Sequence, residues 1–260
     1  MNMEVCVISS GSKGNCYLLN VNNKNILIDC GINYKELEKR LNKINKSAKS
    51  IDAVFITHEH TDHISGCKTL SNKINNIKFF FNKETYHNCK FTIPENQIEF
   101  FKNGIFHYNN IEINALSKNH DAANPVSFSF KFDNKKSSFI TDIGSVCNNV
   151  INQIKNSNIL IFEFNHDESM LFGGSYPEYL KQRIGSNKGH LSNIEAVNCL
   201  SQNIDINLKH LFLSHISSKN NNKNLAKLMI EKELKQKRKD IKDINILIAH
   251  EYENSEVVKV

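Results

Sequence analysis

The stretch AVFITHEHTDH, residues 53–63, constrains this chain more than any other. A short apolar run ends, and His58, Glu59, His60, Asp62 and His63 follow within seven residues. In an extended or tightly turning segment, side chains two apart can face the same way, whereas on a helix they diverge. His58 and His60 can therefore point together. Asp62 and His63, in the turn and first helical residues beyond, face a neighbouring position. One segment thus supplies parts of two adjacent metal sites. Neutral imidazoles and a carboxylate suit zinc, manganese or iron, and the lack of cysteine ligands argues against a closed structural zinc site. A solvated charged loop is the bland alternative. Three histidines and an aspartate at this spacing after a strand weigh heavily against it.

Strand-like runs recur on both sides of this motif: EVCVIS, CYLLNV, NILIDC and IKFFFN, then IEINAL, PVSFSFKF, SSFITD, NILIFEF, HLFLSH and INILIAHE. Helical patterns sit between some of them. NYKELEKRLNKI places Leu37, Leu41 and Ile44 at helical spacing, and NKNLAKLMIEKELKQKRKD puts Leu225, Leu228 and Met229 on one face. LSNIEAVNCLSQN carries Ser192 and Glu195 three apart, a capping box. With only three prolines and no Pro-, Gly- or Ser-rich linker, the 260 residues read as one α/β domain, stacked sheets with helices outside. Asp29, the His58 cluster, His120, Asp142, Glu163 and His215 each fall at or just after the end of a strand-like run. Side chains that must meet are most easily gathered on one edge of a sheet.

Composition narrows the partners. A net charge of +6 suits an anionic partner without demanding one. The first residues show no basic n-region or long apolar stretch, and no apolar run nears the roughly 18 residues that span a bilayer. The expectation is no signal peptide and no membrane partner. Seven scattered cysteines without a C-x-x-C pair read as reduced thiols in a cytoplasmic protein, although Cys30 and Cys67 lie near the acidic and histidine motifs.

HEHTDH resembles the H-x-H-x-D-H signature of the metallo-β-lactamase-fold hydrolases. Asp29 in ILIDCG, His120 in SKNHDAANP, Asp142 in FITDIG and His215 in LFLSHIS follow that family's order across nearly the whole chain. The resemblance implies a four-layer αββα sandwich with two divalent metal ions. One would be held by His58, His60 and His120, the other by Asp62, His63 and His215, with Asp142 between them. Asp29 would orient the loop without being a ligand, and Asp62 would help to aim the shared hydroxide. Two ions at roughly 3.5–4 Å lower the pKa of a shared water towards about 7. Glu59 reads as structural or solvated.

SSGSKGN, CGINYKELEKRL, NHDAANPV, FEFNHD and KGHLSN together look like the WalJ (YycJ) branch, bacterial enzymes associated with exonuclease activity on DNA. That implies hydrolysis of phosphodiester bonds, 5′ to 3′, with DNA as the favoured partner. His190 in KGHLSN directly precedes a helix start, where backbone N–H groups attract phosphate, and it reads as a general acid. Glu163 resembles the acid that partners such a histidine in tRNA-maturing relatives. Gly-Ser loops are usually plain turns, so SSGSKGN is as readily a hairpin turn as a phosphate cradle holding Lys13. His166 is a spare histidine. The KQKRKD run reads chiefly as a solvated helix face. The span from Asp142 to His215 is too short for the large insertion of the β-CASP nucleases, and no long substrate arm is evident. Competing readings are a hydrolase of a small ester, thioester or cyclic phosphodiester, a tRNA-processing-like endoribonuclease, and a non-catalytic regulatory protein. The complete ligand set argues against the last.

Overall fold

The computed structural model describes every residue except Met1, Lys239 and Lys242. Its contacts divide the chain into two compact units: residues 1–115, 122–126 and 250–260, and residues 116–121 and 127–249.

In the first unit, β1 (Met3–Ser9), β2 (Cys16–Val21) and β3 (Lys24–Ile28) form an antiparallel meander. The chain then crosses through α1 (Tyr34–Asn42) to β4 (Ala53–Phe55), which is parallel to β3. The short helices α2 (Thr61–Ile64) and α3 (Cys67–Lys73) lead to β5 (Lys78–Phe81), and α4 (Lys83–Asn88) leads to β6 (Ile98–Phe100). Both strands extend the parallel part of the sheet. A parallel strand is covered on both faces, so it reads as a continuous apolar run and not an alternation. AVF of β4 is buried throughout, and Phe55 stacks on Phe80 of the neighbouring strand at 4.2 Å. Helix α1 is capped by Asn33, whose side chain accepts the Glu36 N–H, and it buries Leu37 and Leu41 with Ile44 packed beside them, as its spacing predicts. An antiparallel hairpin of β7 (Gly104–Tyr108) and β8 (Ile111–Ser117) follows.

The second unit repeats the pattern. The antiparallel pair β9 (Val126–Phe132) and β10 (Lys135–Ile140) is followed, after α5 (Asn148–Ile154), by β11 (Ile159–Glu163), parallel to β10. Helices α6 (Glu168–Gly173), α7 (Glu178–Ile184) and α8 (Asn193–Asn203) precede β12 (His210–Ser214); α9 (Lys223–Lys237) precedes β13 (Asn245–Ile248). Both strands add in parallel. The chain returns to the first unit, where β14 (Val258–Lys259) pairs antiparallel with β1.

The capping box of α8 forms as expected, with Ser192 and Glu195 satisfying each other's backbone N–H groups. The face expected for α9 is corrected. Ala226, Ile230 and Leu234 are the buried positions, while Leu225 and Leu228 are exposed. Met229 is partly buried against the core. The i, i+4, i+8 stripe through a small alanine lets the helix sit close to α8, whereas the larger Leu225 and Leu228 point to solvent. Lys239 of the KQKRKD run lies outside the described residues. No helix among the described residues is long and apolar enough to cross a membrane.

Candidate metal centre

Both units place their chemistry at the carboxyl ends of adjacent parallel strands, two in the first unit and three in the second, the edge where open α/β sheets gather ligands.

In the first unit, Asp29 directly follows β3 and the HEHTDH motif follows β4. Asp29 is fully buried and its oxygens are occupied. Oδ1 accepts the Thr57 N–H at 2.8 Å, and Oδ2 accepts the Thr57 hydroxyl at 2.9 Å and His63 Nδ1 at 2.6 Å. The Thr57 oxygen lies 2.9 Å from His58 Nδ1. Because Thr57 donates to Asp29, it accepts from His58. One carboxylate therefore sets the ring orientation of two histidines. His58 Nε2 lies 3.1 Å from His60 Nδ1, so the two rings do turn together. His60 is the N-cap position of α2, which carries Asp62 and His63.

Asn15, absent from the candidate residues, is the part of this arrangement that sequence reasoning missed. It is fully buried. Its Oδ1 accepts the Gly11 N–H at 3.0 Å and the Tyr17 hydroxyl at 3.2 Å. That fixes which end of the amide is which. Nδ2 consequently faces Asp62 Oδ2 and His63 Nε2, both at 3.1 Å. The SSGSKGN loop is a turn built around this amide. Its backbone donors are already used: Gly11 N–H on Asn15, Lys13 N–H on Glu251 at 2.9 Å, and Gly14 N–H on the Gly11 carbonyl. Those donors are not available to a phosphate. Gly31 permits the close approach, since a Cβ at this position would meet the Asp62 carbonyl oxygen at 1.7 Å. Glu59 is structural, its Oε1 accepting the Ala123 N–H at 2.8 Å. Cys30 and Cys67 pack in the first unit's core, and burial raises the Cys67 thiol well above its ordinary value.

In the second unit, the anchor is Glu163 at the end of β11, also fully buried. Oε1 takes His190 Nδ1 at 2.8 Å and His215 Nδ1 at 3.0 Å. Oε2 accepts the N–H groups of Ile143 at 2.8 Å and Leu191 at 3.3 Å. Burial pushes this carboxyl up, but the charge and hydrogen bonds of His190 and His215 outweigh it and bring the pKa down to about 2. The expected partnership with His190 is present, and the hold on His215 is additional. Asp142 lies between two imidazoles, its Oδ1 at 3.6 Å from His215 Nε2 and 3.9 Å from His120 Nε2. His120 Nδ1 is held by the Gly189 carbonyl at 3.1 Å. Asp142, Glu163, His190 and His215 each offer one ligand atom within 4.8 Å of the others. Asp142 and His215 both adopt positive φ, 54° each, as Asp29 does at 59°. Non-glycine residues in this region cost about 1–3 kcal/mol and collect at functional sites.

One expectation needs correction. The start of α8 offers little to a phosphate: the N–H groups of Ser192 and Glu195 are used by the capping box, and that of Asn193 goes to the His166 carbonyl. His166, the spare histidine, is buried at 2 % exposure.

Residues 24–216 match the β-lactamase superfamily domain. The chain belongs to the β-lactamase superfamily. Within it, the chain is 33 % identical over 241 residues to the exodeoxyribonuclease YycJ of Bacillus anthracis, covering 91 % of each protein. It is 33 % identical over 242 residues to the exodeoxyribonuclease WalJ of Streptococcus pneumoniae, covering 91 % of this chain and 90 % of that protein. The solved metallo-β-lactamase-fold protein YhfI from Bacillus subtilis superposes with a TM-score of 0.70 at 17 % identity, over 100 % of this chain and 99 % of that one. The fold is therefore the αββα sandwich that the motifs implied, and the WalJ (YycJ) branch is the right one. In this superfamily's terms, both units show the same outer arrangement. Nδ1 of His58, His63, His120 and His215 is committed to Thr57, Asp29, Gly189 and Glu163 respectively. Metal-ligating histidines donate one ring N–H to an oxygen in this way, which directs the other nitrogen to the metal.

Proposed function

We propose that the protein is a phosphodiesterase that uses two divalent metal ions to degrade DNA from an end, 5′ to 3′. The donor set fits such ions: four imidazoles with Nδ1 committed to an oxygen, His60 beside His58, and the carboxylates Asp62 and Asp142. By the superfamily's pattern, His58, His60 and His120 would hold one ion. Asp62, His63 and His215 would hold the other, with Asp142 shared. Zinc or manganese suits these ligands, and iron also fits. When bound, the ions supply Lewis acidity and a water acidified towards about pH 7.

The remaining work falls to the chain. Asp62, aimed by Asn15, orients the attacking water. His190 gives a proton to the leaving alkoxide, and Glu163 steadies the imidazolium. The observation that carries the reading is this His190–Glu163 pair. It sits beside Asp142, with the His190 side chain 21 % exposed, so the ring is anchored yet reachable. The YycJ and WalJ relatives, both exodeoxyribonucleases, support DNA as the substrate.

The test incubates metal-loaded protein with DNA labelled at either end, with RNA, and with an aryl phosphodiester. Digestion of DNA from the 5′ end is expected. His190→Ala should keep two metals per chain while DNA hydrolysis falls roughly 10²–10⁴-fold, with a smaller loss on the aryl ester, whose leaving group needs little protonation. Loss of metal, or full activity on DNA, would remove His190 from this role.

A further inference from the structure

Beyond the ends of β5 and β6, in the first unit, lies a cavity of about 390 Å³ bordered by Asn82, Lys83, Glu84, Phe100, Lys102 and Asn124. Its size is at the lower end of small-ligand pockets, enough for a single nucleotide and too small for a duplex. β4, β5 and β6 are parallel neighbours, so the cavity opens at the same sheet edge as HEHTDH. Two strand spacings separate β4 from β6, roughly 10 Å, the length of about three stacked nucleotides.

The cavity wall is also tied directly to the metal motif. The loop 122–126 is fastened at two points, Ala123 N–H to Glu59 Oε1 at 2.8 Å and Val126 N–H to the Thr57 carbonyl at 3.0 Å. Asn124 stands between these points. Its carbonyl accepts Asn82 Nδ2 at 2.7 Å, and its amide is held by Asn103 at 3.0 Å and Glu84 at 3.2 Å. Phe100 is 48 % exposed, one of the largest apolar side chains left in contact with water on this edge. It meets Tyr86 edge-on at 5.7 Å, which steadies the ring. Lys83 and Lys102 are exposed, and neither forms an ion pair among the described residues. A half-exposed aromatic ring sharing a cavity with two exposed lysines, amides and one carboxylate matches how proteins hold single-stranded nucleic acid. The bases stack on the ring, lysines track the phosphates, and a carboxylate accepts from an exocyclic amine.

We propose that this cavity receives one base of the DNA strand a few nucleotides from the scissile phosphate, stacked on Phe100, with Lys83 and Lys102 on the flanking phosphates. The assignment rests on the nuclease reading above. Its test compares wild type, Phe100→Ala and the Lys83→Ala/Lys102→Ala double variant, all metal-loaded. The substrates are a single-stranded oligodeoxynucleotide and bis(p-nitrophenyl) phosphate, which is too short to reach the cavity. Phe100→Ala should raise KM for the oligonucleotide roughly tenfold, the usual worth of one stacked base, and leave the small ester unchanged. The double variant should lower the dependence of log KM on log salt by about 1.4, two phosphate contacts at about 0.7 each. Wild-type DNA hydrolysis with unaltered KM and salt dependence in both variants would overturn the cavity alone. Hydrolysis of the small ester with none of DNA would overturn the nuclease reading and this site with it.

Discussion

The two units solve one problem in two ways. The first carries its candidate ligands in a six-residue segment, 58–63, and orients two of them through one buried carboxylate, Asp29, reached across a single strand spacing. The second draws His120, Asp142, Glu163, His190 and His215 from separate connections and orients two of the histidines through Glu163. The contiguous set is held by the chain's own local geometry, helped by Asn15. The dispersed set depends on three parallel strands staying in register, because Asp142, Glu163 and His215 come from β10, β11 and β12. Damage to the anchor of the dispersed set should therefore reach further.

The largest effect should come from the carboxylate proposed to be shared by the two ions. Asp142→Ala should abolish DNA hydrolysis and lower metal content at limiting metal, read by elemental analysis beside turnover. Unchanged occupancy and turnover would dissolve the role. Next come the two anchors. Asp29→Asn and Glu163→Gln should each weaken metal binding roughly 10–100-fold, the usual worth of such outer partners. At saturating metal, however, Glu163→Gln should remain the slower enzyme, because it also loosens His190. Equal turnover of the two variants under saturation would erase the difference between the units.

A smaller effect is expected at Asn15. Asn15→Ala leaves the Gly11 N–H without its side-chain acceptor, while the Tyr17 hydroxyl keeps Ser10 Oγ at 3.1 Å, which should cost about 1–3 kcal/mol in chemical denaturation. It also removes the Asn15 Nδ2 bond to the Asp62 carboxylate, so turnover should drop even where the protein remains folded. Wild-type turnover in the folded variant would make Asn15 purely a turn residue.

The smallest effect concerns His166. Burial lowers its pKa below the ordinary 6.5. The unfolded chain therefore takes up a proton there that the folded chain refuses. Its contribution to stability is present above pH 6.5 and is lost as pH falls from there towards the lowered value, by at most about 1.4 kcal/mol per pH unit. Denaturation of wild type and His166→Gln at pH 8 and pH 5 checks this. The variant should lose less stability on acidification, and parallel losses would contradict it.

The metal motif was readable because its residues are close in sequence and follow a recognisable strand. The strands CYLLNV and HLFLSH were readable for the same reason, since continuous burial writes itself as an apolar run. The face of α9 was not. Leu225, Leu228 and Met229 satisfy helical periodicity as well as Ala226, Ile230 and Leu234 do, and only the neighbouring surface chooses between them. Asn15 left no signal in composition, because its importance lies in two hydrogen bonds to residues 47 and 48 positions away. The start of α8 misled for the opposite reason. A helix N-terminus invites an anion until the capping box and the His166 carbonyl are seen to occupy it.

By itself, then, the sequence determined the superfamily and the order of the candidate metal-holding groups, because those are properties of residue type and spacing. The tertiary structure decided which oxygen each imidazole is tied to, that one carboxylate serves both His190 and His215, and that a turn near the start of the chain aims Asp62. Those are matters of distance between segments far apart in sequence, set by strand register and by backbone conformations such as the positive φ of Asp29, Asp142 and His215. No local pattern records them.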